Sequence, residues 1–203
     1  MNERFFEMKK EKQDRMLNGI MKIFAIHGYQ KASTEDIVKA AGVSKGLLFH
    51  YFESKAGAYC FAYEYSARFL SMQLEKNISH TEADLFRAMR KVEDAKYVAL
   101  KKYPYMQKFL LSIETVTDME ILKAVEEYRD LVPNVLQDVL QRIDYGRLTD
   151  DANGPVLTRT IEYITRGIMD CTLADRMDAD GFHAEIVAFL DMMAAKFTRP
   201  EYL

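Results

Sequence analysis

The stretch "AAGVSKGLLFHYFESK", Ala40 to Lys55, decides the fold. Two glycines, Gly42 and Gly46, stand four apart, and Phe49-His50-Tyr51-Phe52 sets three aromatics and a histidine in a row. Gly42 stops the helical pattern "STEDIVKAA" before it, and Ser44 can cap a new helix that runs to Phe52. Ser33 can cap the earlier helix, with Asp36 in its first turn and Ile37, Val38 and Ala41 as its apolar face. Two short helices joined by a tight glycine turn form a helix-turn-helix. On the second of them Leu48 and Phe52 share a face, which with Val43 packs inward. That turns Lys45, Gly46, Phe49 and His50 outward, with Leu47 and Tyr51 at the flanks. Such a face makes little sense against water. It suits a DNA major groove, which admits a helix and offers phosphates, acceptors and thymine methyls. Gly46 lets the backbone approach closely, and Lys45 can reach a guanine edge or a phosphate. Leu47 and Phe49 can touch thymine methyls, while His50 and Tyr51 can hydrogen-bond phosphates. Lys55, opening the next helix, adds a phosphate clamp beside helix N-terminal amides.

Upstream, apolar spacing predicts a first helix over roughly Glu7 to His27, with Met16, Leu17, Ile20, Met21 and Phe24 inward and Gly28 as its left-handed stop. Lys9, Lys10, Lys12 and Arg15 at its start fit equally a solvated helix end or an arm touching DNA. Downstream, a fourth helix runs from "ESK" to about Lys76, followed by helices over about 82–102, 104–115, 118–144, 155–175 and 180–198. Pro104 suits a first turn; Pro133 should kink or split its helix. "YGRLTDDANGP" (145–155) is the clearest loop. The expectation is an all-α chain: a three-helix DNA-binding head over 1–54 and a helical body over 55–203.

Composition narrows the function. The 203 residues are 49% hydrophobic and 29% charged, enough for a full core. No apolar run approaches the roughly 18 residues of a membrane span, and the N-terminus lacks the apolar stretch of a signal peptide. Cys60 and Cys171 form no CxxC pair and fit a reducing cytoplasm. The net charge of −3 conceals an asymmetry: residues 1–60 hold ten Lys and Arg against seven Asp and Glu, so the remainder is acidic. A basic head on an acidic body is the direction expected where the head meets a polyanion. The four histidines, His27, His50, His80 and His183, show no metal-ligand spacing. No Walker loop, dinucleotide fingerprint or nucleophile elbow is present, so neither an enzyme nor a cofactor is expected.

"STEDIVKAAGVSKGLLFHYFESKAGAY", residues 33–59, resembles the DNA-binding signature of the TetR family of bacterial transcriptional regulators, and "FAIHGYQKAS" extends the likeness upstream. The resemblance assigns Ser33 and Thr34 to phosphate contacts at the start of the second helix. It places Lys45, Gly46, Leu47, Phe49, His50 and Tyr51, behind the Ser44 cap, on the recognition helix, and Lys55 on a phosphate. Leu47 and Phe49 stand where Thr or Ser and Tyr are common, so methyl contacts and shape gain weight over hydrogen bonds. Gly57 stands where a stronger helix former is usual, which predicts a softened link to the body.

Beyond residue 60 the resemblance implies architecture only: a homodimer built on the last two long helices, a small effector in the body, and double-stranded operator DNA as partner, with no membrane. Apolar stripes fit that dimer, Ile161, Ile164, Ile168 and Cys171 on one helix and Ile186, Phe189, Leu190 and Met193 on the other, although intrachain core accounts for part of them. The chain has 12 each of Tyr, Phe and Met. Candidate pocket residues are Tyr63, Phe69, Met72, Tyr97, Tyr105, Met106, Phe109, Tyr128, Tyr163 and Met169, each of which also reads as ordinary core. Glu114, within "KFLLSIETV", could meet a cationic ligand or form a surface salt bridge. Two other classes compete: a constitutive helix-turn-helix protein without a sensor, and a helical small-molecule binder with a vestigial head.

Overall fold

Several helix starts follow side-chain caps, from Ser33, Ser44, Asp118 and Asp178. The computed structural model describes residues 3–173 and 178–202, with only the backbone of residues 3 and 171–173. The N-terminal helices are α1 (Glu3–Phe6), α2 (Lys10–Lys31), α3 (Thr34–Ala41), α4 (Lys45–Phe52) and α5 (Lys55–Asn77). They are followed by α6 (Leu85–Lys102), α7 (Met106–Leu111), α8 (Met119–Ala124), α9 (Glu126–Arg129) and α10 (Leu131–Gln141), then α11 (Gly154–Leu173) and α12 (Ala179–Phe197). Among the described residues there is no strand, only one isolated antiparallel bridge, Leu148 to Thr198.

Two compact units divide the chain. Met1–Ser71 and Ala99–Pro133 make one; Met72–Val98 and Asn134–Leu203 make the other. In the first, Met16, Leu17, Ile20, Met21 and Phe24 of α2 are fully buried, with Ile37 and Ala41 of α3. Gly19 is what brings α2 against α3: a Cβ there would lie 2.4 Å from the Ala41 nitrogen. Phe24, Tyr59, Tyr63 and Phe109 form an aromatic core, with Tyr59 edge-on to Phe24 at 5.0 Å and to Phe109 at 5.1 Å. Pairs at such offsets add about 0.5–1.5 kcal/mol each beyond their burial. In the second unit Phe182, Ile186 and Leu190 of α12 are buried with Ile161 of α11. His183 hydrogen-bonds Asp94 at 2.7 Å and stacks on Tyr97, tying α12 to α6.

The structure departs from the sequence expectation at three places. Gly28 takes φ 69° as expected, but the helix resumes for one more turn to Lys31, so α2 is kinked there rather than ended. The predicted helix over 118–144 is broken into α8, α9 and α10. Pro133 is not the break; it sits in the first turn of α10, where its missing N–H costs nothing. Helix α1 was not anticipated, because four residues carry no period. Its carbonyl end is capped from outside: the Gln13 amide donates to Phe6 O at 2.9 Å and Met8 O at 2.7 Å.

Candidate nucleic-acid interface

The face expected to read DNA is built on α4. Ser44 Oγ accepts from the Leu47 amide at 3.2 Å, capping α4, as Ser33 Oγ caps α3 through the Asp36 amide at 3.0 Å. Gly42 joins the two helices in the left-handed conformation, φ 62° and ψ 40°. Leu48 is wholly buried and Phe52 nearly so, which fixes the roll of α4 about its axis. Lys45, Gly46 and His50 are exposed, and Leu47, Phe49 and Tyr51 are half-buried along its edges. Nothing lies within 4 Å of a Cβ placed on Gly46, so that surface is open backbone. Ser44 is exposed, while Ser33 and Thr34 are half-exposed at the start of α3.

Two of the cations expected at DNA are already engaged. Lys45 Nζ donates to Glu35 Oε1 of α3 at 2.8 Å, and this hydrogen bond is the main reason the exposed Glu35 carboxyl is held below the usual carboxylate range. Lys55 does not project from the reading face. Its ammonium donates to Tyr29 O at 3.0 Å and Ala32 O at 3.2 Å, and lies 4.4 Å from the centroid of the Tyr29 ring. Lys55 therefore fastens the end of α2 to the start of α5, so a phosphate would have to share it with two carbonyls.

The joint after α4 is sharp. Glu53 has φ 64° and ψ −40°, and the Ser54 amide donates back to Phe52 O at 2.6 Å, a three-residue γ-turn of the strained hand. Phe52 O also lies where a side chain at 57 would go: a Cβ on Gly57 would be 2.0 Å from it. The glycine is thus demanded by close packing between the end of α4 and the first turn of α5. It is not a soft point in the chain, as helix propensity alone suggested.

The body candidates divide between the two units. In the first, Tyr63, Met106 and Phe109 are packed into the core, Phe69 stacks on Tyr65, Tyr105 carries Lys22 over its ring and Tyr128 carries Arg68. Glu114 is exposed rather than set in an apolar pocket. In the second unit Tyr97 donates to Asp180, Met169 is buried, and Met72 and Tyr163 face solvent. Of the expected dimer stripe, Ile161, Ile186 and Leu190 are covered by the chain itself. Ile164, Ile168, Phe189 and Met193 are half-buried, and the Cys171 side chain lies outside the described residues. Among the described residues, the exposed large apolar side chains on these helices are Val156, Tyr163 and Met192.

Sequence reasoning passed over three features. Glu93 is buried on α6, bonded through Oε1 to Lys96 at 2.7 Å, while its Oε2 has no hydrogen-bond partner. Its seven-residue spacing from Phe86 and Leu100, on an apolar stripe, was the available signal. The buried Tyr103 hydroxyl donates to Asp14 of α2 and shares a 2.7 Å bond with Tyr65. Burial, then these bonds, push the Tyr103 phenol far upward. A groove of about 500 Å³ in the second unit has Leu74, Ile78, Val135 and Val139 in its lining and His80, Asp138 and Arg142 among its polar residues. Among the described residues no three His, Cys, Asp or Glu come together as a metal site, and no helix is long and apolar enough to cross a membrane.

Comparison with known proteins agrees with this geometry. Residues 16–57 match the profile of bacterial regulatory proteins of the tetR family. The chain is 25% identical over 189 residues to the HTH-type transcriptional repressor AcnR of Corynebacterium efficiens, covering 92% of each. Its fold is similar to that of the ketosteroid transcriptional regulator KstR2 of Mycobacterium tuberculosis, with TM-score 0.70, 15% identity, and 95% and 97% of the two chains covered. It is also similar to the transcriptional regulator FadR of Bacillus subtilis, solved in complex with stearoyl-CoA, with TM-score 0.54, 16% identity, and 87% and 96% covered. α3, the Gly42 turn and α4 all lie inside the matched segment, so residues 16–57 carry the signature of the tetR family of bacterial regulatory proteins.

Proposed function

We propose that the protein is a cytoplasmic repressor that binds a palindromic operator as a homodimer and is released by a small hydrophobic or amphipathic effector. The observation that carries the DNA part is the outward face of α4, where Lys45 (paired with Glu35), bare Gly46 and His50 are exposed while Leu48 and Phe52 anchor the helix. Ser33, Thr34, Ser44, His50, Tyr51 and the amides behind Lys55 are assigned to phosphates, and Leu47 and Phe49 to thymine methyls in the groove. One such helix reads too few bases to be selective, so two copies should meet half-sites about one helical turn, or a multiple, apart. Val156, Tyr163 and Met192 are the exposed apolar residues available to a second copy on α11 and α12. The repressor relative supports the output, and the stearoyl-CoA complex of a fold neighbour supports an amphipathic ligand in the body. The groove lined by Leu74, Ile78, Val135, Val139 and Arg142 has the apolar floor and charged rim that such a molecule would use.

Selection of bound duplexes from a random pool, followed by a screen for ligands that release them, tests the reading. A two-fold-symmetric site and a releasing amphiphile are expected, with release weakening binding by about 5- to 150-fold. A protein that selects no sequence would overturn the repressor assignment. Sequence-selective binding that no hydrophobic or amphipathic ligand changes would instead support a constitutive DNA-binding protein.

A further inference from the structure

The aromatic packing at the N-terminus reaches the reading helix from outside the segment that defines the family. Phe5 of α1 is completely buried. Its ring meets Phe61 of α5 at 4.8 Å, Phe52 of α4 at 5.6 Å and Tyr51 of α4 edge-on at 6.0 Å. Tyr51 in turn stands edge-on to His50 at 4.9 Å. Phe5 thus touches both kinds of residue at the end of α4: Phe52, which holds the helix down, and Tyr51, which lies along the outward face assigned to DNA. The short helix that carries it is held by a built fixture, since Gln13 is buried and spends its amide on two carbonyls of residues 6 and 8. A four-residue helix has no stability of its own. It is ordered because Gln13 and the aromatic cluster order it.

We infer that Phe5 is a positioning residue for DNA reading. Through Tyr51 and Phe52 it sets the roll of α4 and the direction in which Tyr51 and His50 meet the duplex. The residues before position 16 are then a working part of the head. This inference rests on the assignment of α4 as the reading helix. It differs from a purely structural role in what it predicts: loss of Phe5 should harm discrimination between duplexes more than attraction to any duplex. Phosphate attraction depends on summed charge and tolerates a small rotation of α4, whereas base-edge contacts do not.

The test uses the full chain with Phe5→Ala, Phe5→Leu and Gln13→Ala, at a temperature where melting curves show each variant folded. Binding is measured to the selected operator and to a scrambled duplex, over a range of salt. For Phe5→Ala and Gln13→Ala the ratio of operator to scrambled affinity should fall about tenfold, the effect of roughly one misplaced base contact. Affinity for the scrambled duplex and the salt slope should be unchanged, and Phe5→Leu should restore most of the ratio. An unchanged ratio, or equal loss on both duplexes, in a folded Phe5→Ala protein would overturn the inference. If Phe5→Ala does not fold, Gln13→Ala decides by the same two outcomes. A wild-type chain that selects no duplex would overturn the assignment of α4, which is a different failure from wild-type selectivity that these variants leave intact.

Discussion

Gly57→Ala sets two effects of opposite sign against each other. Within a helix, alanine is favoured over glycine by about 1 kcal/mol, so on propensity alone the substitution stabilises α5. The new Cβ, however, would sit 2.0 Å from Phe52 O and 3.1 Å from Phe52 C, both backbone atoms that no rotamer change can clear. Reaching ordinary contact requires the end of α4 and the first turn of α5 to separate by more than 1 Å. Forced separations of this kind cost about 1–3 kcal/mol. At the upper end of that range, as expected for a backbone clash, the net loss is about 2 kcal/mol, or roughly 4–8 °C in Tm for a chain of this size. The same displacement carries Tyr51 and Phe52 with it, and misplacements near 1 Å can cost about a hundredfold where geometry is demanding. Calorimetry and operator binding below the transition measure the two parts separately. A Gly57→Ala protein that melts higher than wild type and binds the operator as well would refute the packing argument and return Gly57 to the role of a weak helix former.

Other perturbations separate the roles of individual side chains. Leu47→Thr should change which base is preferred at one operator position with little change in stability, as read by repeating the duplex selection. Lys55→Met removes the donor to Tyr29 O and Ala32 O; melting should show a loss of about 1–3 kcal/mol, and affinity should fall by the same factor on every duplex. Burial pushes the Tyr63 phenol up to about 12 and the Cys60 thiol up to about 11. Because the folded-state values are raised, their contribution is fully present below the unfolded values and is lost as pH rises through the folded ones. Denaturant midpoints should therefore begin to fall above pH about 9, as the unfolded Cys60 thiol ionises, and fall further from about 10 to 12 with Tyr63. In Tyr63→Phe the portion between about 10 and 12 should be reduced.

Elements whose determinants are local were legible in the sequence. Ser33, Gly42 and Ser44 each act within a few residues, so the start of α3, the turn and the start of α4 follow from them directly. The burial of Leu48 and Phe52 follows from a spacing of four. What could not be read depends on distant partners. Lys55 looks like a free cation until Tyr29 and Ala32 are brought beside it. Gly57 looks like a poor helix former until Phe52 O is seen against it. Phe5 lies in a segment with no period, and only the converging Phe52 and Phe61 give it a place. In the body, Tyr63 and Phe109 have the composition of a ligand wall and of a core alike, and only packing tells which.

If α4 reads DNA as proposed, the pairing of Lys45 with Glu35 makes recognition an exchange reaction. In the free protein this ammonium has a partner 2.8 Å away, so a duplex does not simply attract it. On the proposed reading, a sequence that presents a good acceptor would draw Lys45 across and release Glu35, whose carboxylate would then face the duplex. A sequence that presents none leaves the pair closed. Glu35 thereby acts as an internal competitor that every base pair at that position must displace. On the proposed reading, selectivity at Lys45 would depend in part on the partner it leaves, a modest term for an exposed pair.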